Sequence, residues 1–413
     1  MKITPMYWLL LRRYKKKYMT FVGDFNVNRY IFCLLIVFLA TFQVVPSAEE
    51  FILQESTHPA ELQDLINPKE ETEEITWLGA DAATSVEITP DRYVWLFGDT
   101  ILGKNKDGVR KYSVFLHNTI GITERGTQDN FTRIKKSYRK EDGKFSAIFP
   151  SQKSNIFYWP LVGTRLNSSL LVAASKVTTR DTKTFKVLGT TFFTVDNPME
   201  SPEDWNYQNK FLPKKDGITW GNALVKQDKW IYIFGQKGTG FSSKTVLAKI
   251  RVLDVKKGNW SKRLNFADGK WKSDLPPDPI NGLPGTSETT IQHNPFFGWY
   301  CLQIPPLSFD IHLYTSESIT GPWRDQGAVY TIPSPWSLKK TEGGKHVFSA
   351  YAAKSHPELA EGDNEIVLTY NVNLNPFVQG LASKLEGYIE QKKYSELYIP
   401  QFVSLEFRKK SSD

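Results

Sequence analysis

Trp77-Leu-Gly-Ala-Asp-Ala-Ala-Thr-Ser85 and Val94-Trp-Leu-Phe-Gly-Asp-Thr-Ile-Leu-Gly103 flank a short connection, and their pairing decides how the chain folds. Thr84, Val86 and Ile88 alternate with Ala83, Ser85 and Glu87, the period-2 pattern of a strand. Thr89-Pro90-Asp91-Arg92 is a turn cluster. Tyr93-Val-Trp-Leu-Phe97 is rich in β-branched and aromatic residues, as strands are. Opposed residues of an antiparallel pair have a constant sum of residue numbers. A loop centred on Pro90 therefore predicts the pairs Ile88/Arg92, Val86/Val94, Thr84/Leu96 and Asp81/Asp99. Any register that keeps Val86 and Val94 on one face also keeps the two aspartates on a common face, at the open ends of one hairpin.

Directly opposed Cβ atoms lie roughly 4.5–5.5 Å apart, and carboxylates that work as an acid/base pair on a glycosidic bond lie roughly 5–9.5 Å apart. Two like charges at such range do not both ionise freely, so one is expected to stay protonated near neutral pH. Two solvated loop acids satisfy the same bare sequence, and geometry has to decide between the readings.

The 413 residues suffice for a large core and one to three domains. Ile31 to Val45 carries no charge and follows Arg12, Arg13, Lys15, Lys16, Lys17 and Arg29; Pro46-Ser47-Ala48 follows it. Residues 1–48 thus read as a signal peptide or an uncleaved signal anchor, the apolar run being short against the ~20 residues of a full span. Either way the remainder is expected to be secreted or membrane-anchored on the extracytoplasmic side, touching a membrane only through that segment. The net charge of +8 sits mostly in this leader, which holds seven Lys/Arg and one acid; the rest has 45 basic and 43 acidic residues. No basic patch remains that would suggest nucleic acid. Cys33 lies in the leader and Cys301 in a strand pattern, which excludes an intramolecular disulfide in a processed chain and makes Cys301 a buried small hydrophobe. Asn130-Phe-Thr, Asn167-Ser-Ser and Asn259-Trp-Ser are glycosylation sequons in a eukaryotic context. No zinc spacing, phosphate loop or dinucleotide fingerprint is present, so neither a cofactor nor a metal is expected, and nothing calls for more than a monomer.

Residues 49–74 are polar and acidic and read as an exposed lead-in, with a short helix near Ala60 to Ile66. From about 75 to 410 strand patterns follow one another, 14% of the chain is aromatic, and no long amphipathic helix precedes Phe377, which argues for an all-β fold. A degenerate repeat is visible. Its units are Ile75 to Ile122; Asn155 through Ser169-Leu-Leu-Val-Ala-Ala-Ser175 to Thr194; Gly217 through Trp230-Ile-Tyr-Ile-Phe-Gly235 to Leu253; Thr286 to Tyr314; and Val347 through Thr369-Tyr370 to Phe407. Glu386 to Lys393 suggests a small helix or excursion. Five such units predict a five-bladed β-propeller, with a decorated sandwich as the alternative.

The innermost strands of a propeller begin around one face of a central funnel. Applied to each unit, that rule nominates Asp81, Trp159, Trp220 with Asn222, Glu288, and Lys354 with His356; Asp99 joins through the hairpin. Asp81, Asp99 and Glu288 are the candidate catalytic groups, and Trp159, Trp220, Asn222, Lys354 and His356 the candidate substrate-binding ones. Sugars suit this mixture, with ring faces on indoles and hydroxyls on carboxylates and amides. Each residue also has a plainer reading: turn stabilisation for the aspartates, inter-sheet packing for the indoles, backbone satisfaction for Asn222, loop order for His356. Ser318-Ile-Thr-Gly-Pro-Trp323 reads as a structural turn.

Trp77-Leu-Gly-Ala-Asp81-Ala with Ser85, and Trp95-Leu-Phe-Gly-Asp99-Thr, resemble the opening unit of the family known as domain-of-unknown-function 4185, which includes endo-D-arabinanases and is related to five-bladed family-43 glycoside hydrolases. Tyr158-Trp-Pro160, Trp220-Gly-Asn222, Thr320-Gly-Pro-Trp323 and Tyr351-Ala-Ala-Lys-Ser-His-Pro357 are similar to its later motifs, over about 75–408. The resemblance implies hydrolysis of a polysaccharide, a furanoside such as D-arabinan among the candidates, with Asp81 and Asp99 as the catalytic pair. Asp99, following a glycine at the outer end of its strand, is favoured as proton donor and Asp81 as base or nucleophile. A non-catalytic propeller binding glycan or protein on the same face is the rival reading.

Overall fold

Short hairpins organise the chain, and several turn on Asp-Gly dipeptides. At Asp107-Gly108 and Asp268-Gly269 both residues have positive φ (54° and 71°, 50° and 67°), the backbone that matches the twist of flanking strands. The computed structural model describes residues 50–126, 130–179, 185–333, 336–376, 378 and 384–410. The expected leader at 1–48 lies outside them. Among the described residues no helix is long and apolar enough to cross a membrane.

The fold is all-β. Five sheets of four or more strands follow in chain order. The first joins Thr84–Thr89, Arg92–Phe97, Thr119–Glu124 and Lys135–Ser137. The second joins Ile156–Leu166, Ser169–Thr178, Lys186–Val195 and Tyr207–Pro213. The third runs from Ile218–Gln227 through Trp230–Lys237 and Lys244–Arg251 to a small outer hairpin, Leu264–Ala267 with Lys270–Lys272. The fourth is Thr290–Asn294, Gly298–Gln303, Asp310–Ser316 and Arg324–Thr331. The fifth is Phe348–Ser355, Glu365–Leu374 and Gln401–Lys409, with Phe51–Thr57 on its outer edge.

The last strand corrects one expectation. Residues 49–74 are not merely a lead-in, because Phe51–Thr57 pairs antiparallel with Gln401–Lys409 and ties the start of the described chain to its end. Its outward residues are exposed and polar, so its composition looked like loop. The helix Ala60–Ile66 stands where the sequence set it.

Side-chain hydrogen bonds link each sheet, or the turn beside it, to the next around a closed circuit. Thr84 Oγ1 donates to Leu161 O (first to second), Thr190 Oγ1 to Trp220 O (second to third), and Asn222 Nδ2 to Thr286 O (third to fourth). Thr290 Oγ1 donates to Ala353 O (fourth to fifth), and Ser85 Oγ meets His356 Nδ1 at 2.6 Å (fifth to first). The core lies between the sheets. Alternate residues of Ser169–Thr178 show why: Leu170 and Val172 pack with Val86 and Val94 of the first sheet, Leu171 and Ala173 with Trp220 and Ile231 of the third. Each fully buried aliphatic side chain there is worth roughly 1.5–3 kcal/mol. With both faces apolar, pattern alone would not hold the register. The tight turn at Asn167-Ser168, with Asn167 at φ 59°, fixes it.

Cys301 is fully buried between the third and fourth sheets, and burial pushes its thiol up to about 12. The Ser318–Trp323 segment is a turn, closed by Ser316 Oγ on Ser318 O and Pro322 O.

Candidate active site

The constant-sum register holds over most of the opening pair. Thr84 faces Leu96 and Val86 faces Val94, while Gly79 faces Ile101 and Ala80 faces Thr100. Two details differ from the expectation. A bulge between Glu87 and Thr89 sets Thr89, not Ile88, opposite Arg92. The strands also do not form one continuous hairpin. Thr76–Ala80 and Thr100–Lys106 belong with Val109–Leu116 to a separate three-stranded sheet. The chain changes sheets at Asp81-Ala82-Ala83, where Ala82 and Ala83 have φ of 73° and 48°. Such values are uncommon for a residue with a Cβ and mark a conformation held by its surroundings. Asp81 therefore lies off the inner strand, three residues before its start at Thr84. Backbone bonds still join the partners across the crossing: Asp81 N donates to Asp99 O (3.1 Å) and Gly98 N to Asp81 O (3.0 Å).

This crossing gathers three carboxylates. Asp81 lies over Gly98, where a Cβ would sit 2.3 Å from its Oδ1. Its Oδ2 accepts from the Tyr351 hydroxyl (2.9 Å) and, at longer reach, from Tyr398 (3.5 Å). Burial, then the charges of Asp99 and Glu288, raises the Asp81 carboxyl well above its ordinary value, against the Tyr351 hydrogen bond and a backbone one from Asp99. Asp99 is also raised, by burial, against its hydrogen bonds to His117 and Trp159. Both partners use Oδ1: Trp159 Nε1 donates at 2.5 Å and His117 Nδ1 lies at 2.8 Å. His117 in turn stacks on Phe157, centroids 3.8 Å apart. Glu288, on the approach to the fourth sheet, is ion-paired to Lys354 Nζ at 2.6 Å. The Asp99 and Glu288 side chains keep 18% and 20% of their surface exposed, so the cluster is recessed yet still reached from solvent.

A family model matches residues 70–407, and its description is Domain of unknown function (DUF5005). The chain belongs to the DUF5005 family. The matching model is thus DUF5005, where the opening motifs had suggested the 4185 family. No curated protein matched the sequence. Among solved structures, the DUF5005 chain shares its fold with a "putative hydrolase" from Bacteroides ovatus. TM-score is 0.63 at 16% identity, over 86% of this chain and 93% of that one. More distant are a family-117 glycoside hydrolase from Zobellia galactanivorans (TM-score 0.44, 9% identity, 87% and 90% covered) and an α-L-arabinofuranosidase from Podospora anserina in complex with cellotriose (0.42, 10%, 84% and 95%).

Within the DUF5005 domain four of the expected substrate-binding residues are buried and serve the framework instead. Lys354 is 1% exposed; besides Glu288 it donates to Leu161 O at 3.0 Å. His356 is 0% exposed, held by Ser85 and by Thr369 Oγ1 on Nε2, with its ring near Trp95 and Phe402. Burial and the Lys354 charge push it down to about 3, so it stays neutral. Trp220 is core between the second and third sheets, under the Arg263 guanidinium. Asn222 donates to Thr286 O and Ser287 O, fixing the turn that carries Glu288. A side chain without surface has nothing to offer a sugar. Trp159 does reach the cluster, but its indole N–H is spent on Asp99, and its ring meets the exposed Phe185 edge-on at 4.7 Å.

His117, Tyr351 and Tyr398 were not singled out from the sequence. Tyr351 opens a motif noted there, whereas His117 and Tyr398 carry no local signal. Among the described residues no group of three or more His, Cys, Asp or Glu is arranged to hold a metal ion.

Proposed function

We propose that this DUF5005 domain is a five-bladed β-propeller glycoside hydrolase, cutting a polysaccharide at the mouth where Asp81, Asp99 and Glu288 meet. The five consecutive sheets and the closed circuit of hydrogen bonds between them support the blades. The observation that carries the activity is the unequal treatment of two backbone-paired aspartates. Asp81 is recessed and pressed by two neighbouring negative charges, which favours its protonated form. Asp99 is raised too, but by burial alone, and it is oriented by a histidine and an indole N–H, both of which favour its ionised form. That is an acid and a base set apart by environment.

We assign the roles the other way round from the expectation based on strand position: Asp81 serves as proton donor to the leaving oxygen, and Asp99 as the base or nucleophile. Glu288, held by Lys354, supplies the fixed negative charge that helps keep Asp81 protonated. Trp159 orients Asp99 and, with Phe185, offers aromatic surface beside it for a sugar ring. A furanoside such as D-arabinan is the substrate class we favour, on the motif resemblance to the 4185 family. The basic apolar leader supports an extracytoplasmic location, secreted or anchored.

Removing either member of an acid/base pair costs roughly 10²–10⁴ in rate. A hydrolysis screen over arabinan, arabinoxylan, xylan and galactan, with Asp81→Asn and Asp99→Asn as controls, tests the reading. Cleavage that survives Asp99→Asn at the wild-type rate sinks it. Tight glycan binding without cleavage by the wild type would favour the binding-module reading.

A further inference from the structure

Arg110 is a buried guanidinium in the strand Val109–Leu116, and among the described residues no carboxylate pairs with it. Three backbone carbonyls accept from its two Nη atoms instead, while its buried Nε–H has no hydrogen-bond partner. Nη1 donates to Leu78 O (3.1 Å), and Nη2 to Tyr394 O (3.1 Å) and Leu397 O (2.8 Å). Leu78 lies on the strand that ends just before Asp81. Tyr394 and Leu397 lie on the excursion of helix Leu385–Ile389 and turn Lys392–Tyr394 that precedes the last strand. One side chain thus clamps two segments more than 300 residues apart. A charge without a counter-ion is costly to bury, and a plain core position would not call for one.

What the clamp delivers is Tyr398. Its backbone has φ 64°, a strained value for a tyrosine, and its N–H donates to Val372 O at 3.0 Å. Its carbonyl oxygen lies where a Cβ on Gly79 would come within 2.5 Å. Gly79 of the Trp77-Leu-Gly-Ala-Asp81 motif is therefore what lets this turn approach. Asn371 Nδ2 on Ala80 O (3.1 Å) holds the same strand from behind. Tyr398 is buried, and its hydroxyl points at the Asp81 oxygen that also receives Tyr351.

We propose that Tyr398 is a positioning residue for Asp81, and that Arg110 sets it in place by clamping the turn at Tyr394 and Leu397 to the Asp81 strand. Two phenols then occupy Oδ2 and leave Oδ1, over Gly98, as the oxygen free to face a ligand. The inference deepens the proposed function, because it assumes that Asp81 is the working carboxylate.

The test reads Asp81 directly, without needing a substrate. In the full chain labelled with ¹³C at aspartate carboxyls, the Asp81 resonance is the one absent from Asp81→Asn, and its titration is followed. The groups facing it are Asp99, Glu288, Tyr351 and Tyr398. A phenol that donates to the ionised carboxylate favours ionisation. Tyr398→Phe should therefore raise the Asp81 midpoint, by roughly 0.5 unit for so long a hydrogen bond, with little change in melting temperature. Arg110→Met, which acts through Tyr398, should raise it by no more than Tyr398→Phe does, and Arg110→Lys should recover part of the shift. If Tyr398→Phe titrates like wild type while Tyr351→Phe is displaced, Tyr398 is only packing and the proposal falls. Tyr398→Phe keeps the ring, so the result stands even where Arg110 variants fold poorly. Absence of glycan cleavage by the wild type would count against the hydrolase reading and leave this titration unaffected.

Discussion

Lys354 Nζ lies 2.6 Å from Glu288 Oε2, and the lysine has almost no exposed surface. A buried pair of this kind gives little net stability, yet breaking it by removing one partner costs about 3–5 kcal/mol, because a charge is left stranded. Glu288 retains some contact with water, so the lower end applies. Lys354→Met should destabilise the fold by about 3 kcal/mol in equilibrium denaturation. Adding Glu288→Gln should return most of that loss, since no unpaired carboxylate remains. A double variant no more stable than Lys354→Met would show that the lysine matters through Leu161 O and its own packing, not through Glu288.

Asp81 carries a pH signature with a defined sign. Its folded-state value is raised above the ordinary carboxylate value. Between those two values the folded state binds more protons than the unfolded, so stability falls as pH rises through that window. Asparagine cannot ionise and escapes this loss. Asp81→Asn should melt higher than wild type at pH 8, and the gap should close below about pH 4, where the carboxyl is neutral in both states. Melting curves at the two pH values decide it; a gap of equal size at both would show that the effect is steric.

These two groups also mark how far the sequence could be read. The Asp81–Asp99 pairing was legible because antiparallel register obeys a constant sum and Val86/Val94 fix the parity. The change of sheet between them was not: it depends on Ala82 and Ala83 in left-handed conformations, with no glycine or asparagine to announce them. Lys354 and His356 carry groups that bind ligands, and their role turned on burial, which a strand position near a funnel does not reveal. Arg110 and Tyr398 were out of reach. Their partners come from opposite ends of the chain, and a buried arginine that serves only carbonyls has no pattern in sequence.

Trp159 separates orientation of the base from contact with a ligand. Phenylalanine keeps an aromatic face but removes the N–H that meets Asp99 Oδ1. A hydrogen bond to a charged group is worth roughly 1.5–3 kcal/mol, or about 10- to 100-fold in rate. On any glycan that the wild type cleaves, Trp159→Phe should lower kcat by about that factor and change KM by less than about threefold. The opposite split, with KM rising and kcat kept, would assign the ring to sugar stacking and free Asp99 from its dependence on the indole.

Gly98 offers the sharpest contrast between site and scaffold. Its backbone conformation suits any residue, yet an added Cβ would stand 2.3 Å from Asp81 Oδ1, with the nearest other side chain, Ala82, at 3.8 Å. Only the carboxylate has to move. Gly98→Ala should therefore fold cooperatively, with a melting temperature within a few degrees of wild type, and lose at least ~10² in kcat/KM, as a displaced proton donor would. Gly163 is the control. A Cβ there meets Val86 Cγ2 at 2.8 Å and Leu96 Cδ1 at 3.1 Å in the interface between the first and second sheets. Gly163→Ala should cost about 1–3 kcal/mol through overpacking while its folded fraction turns over normally. Circular-dichroism melts beside turnover on one cleaved glycan distinguish the two, and normal turnover in Gly98→Ala would remove Asp81 Oδ1 from the chemistry.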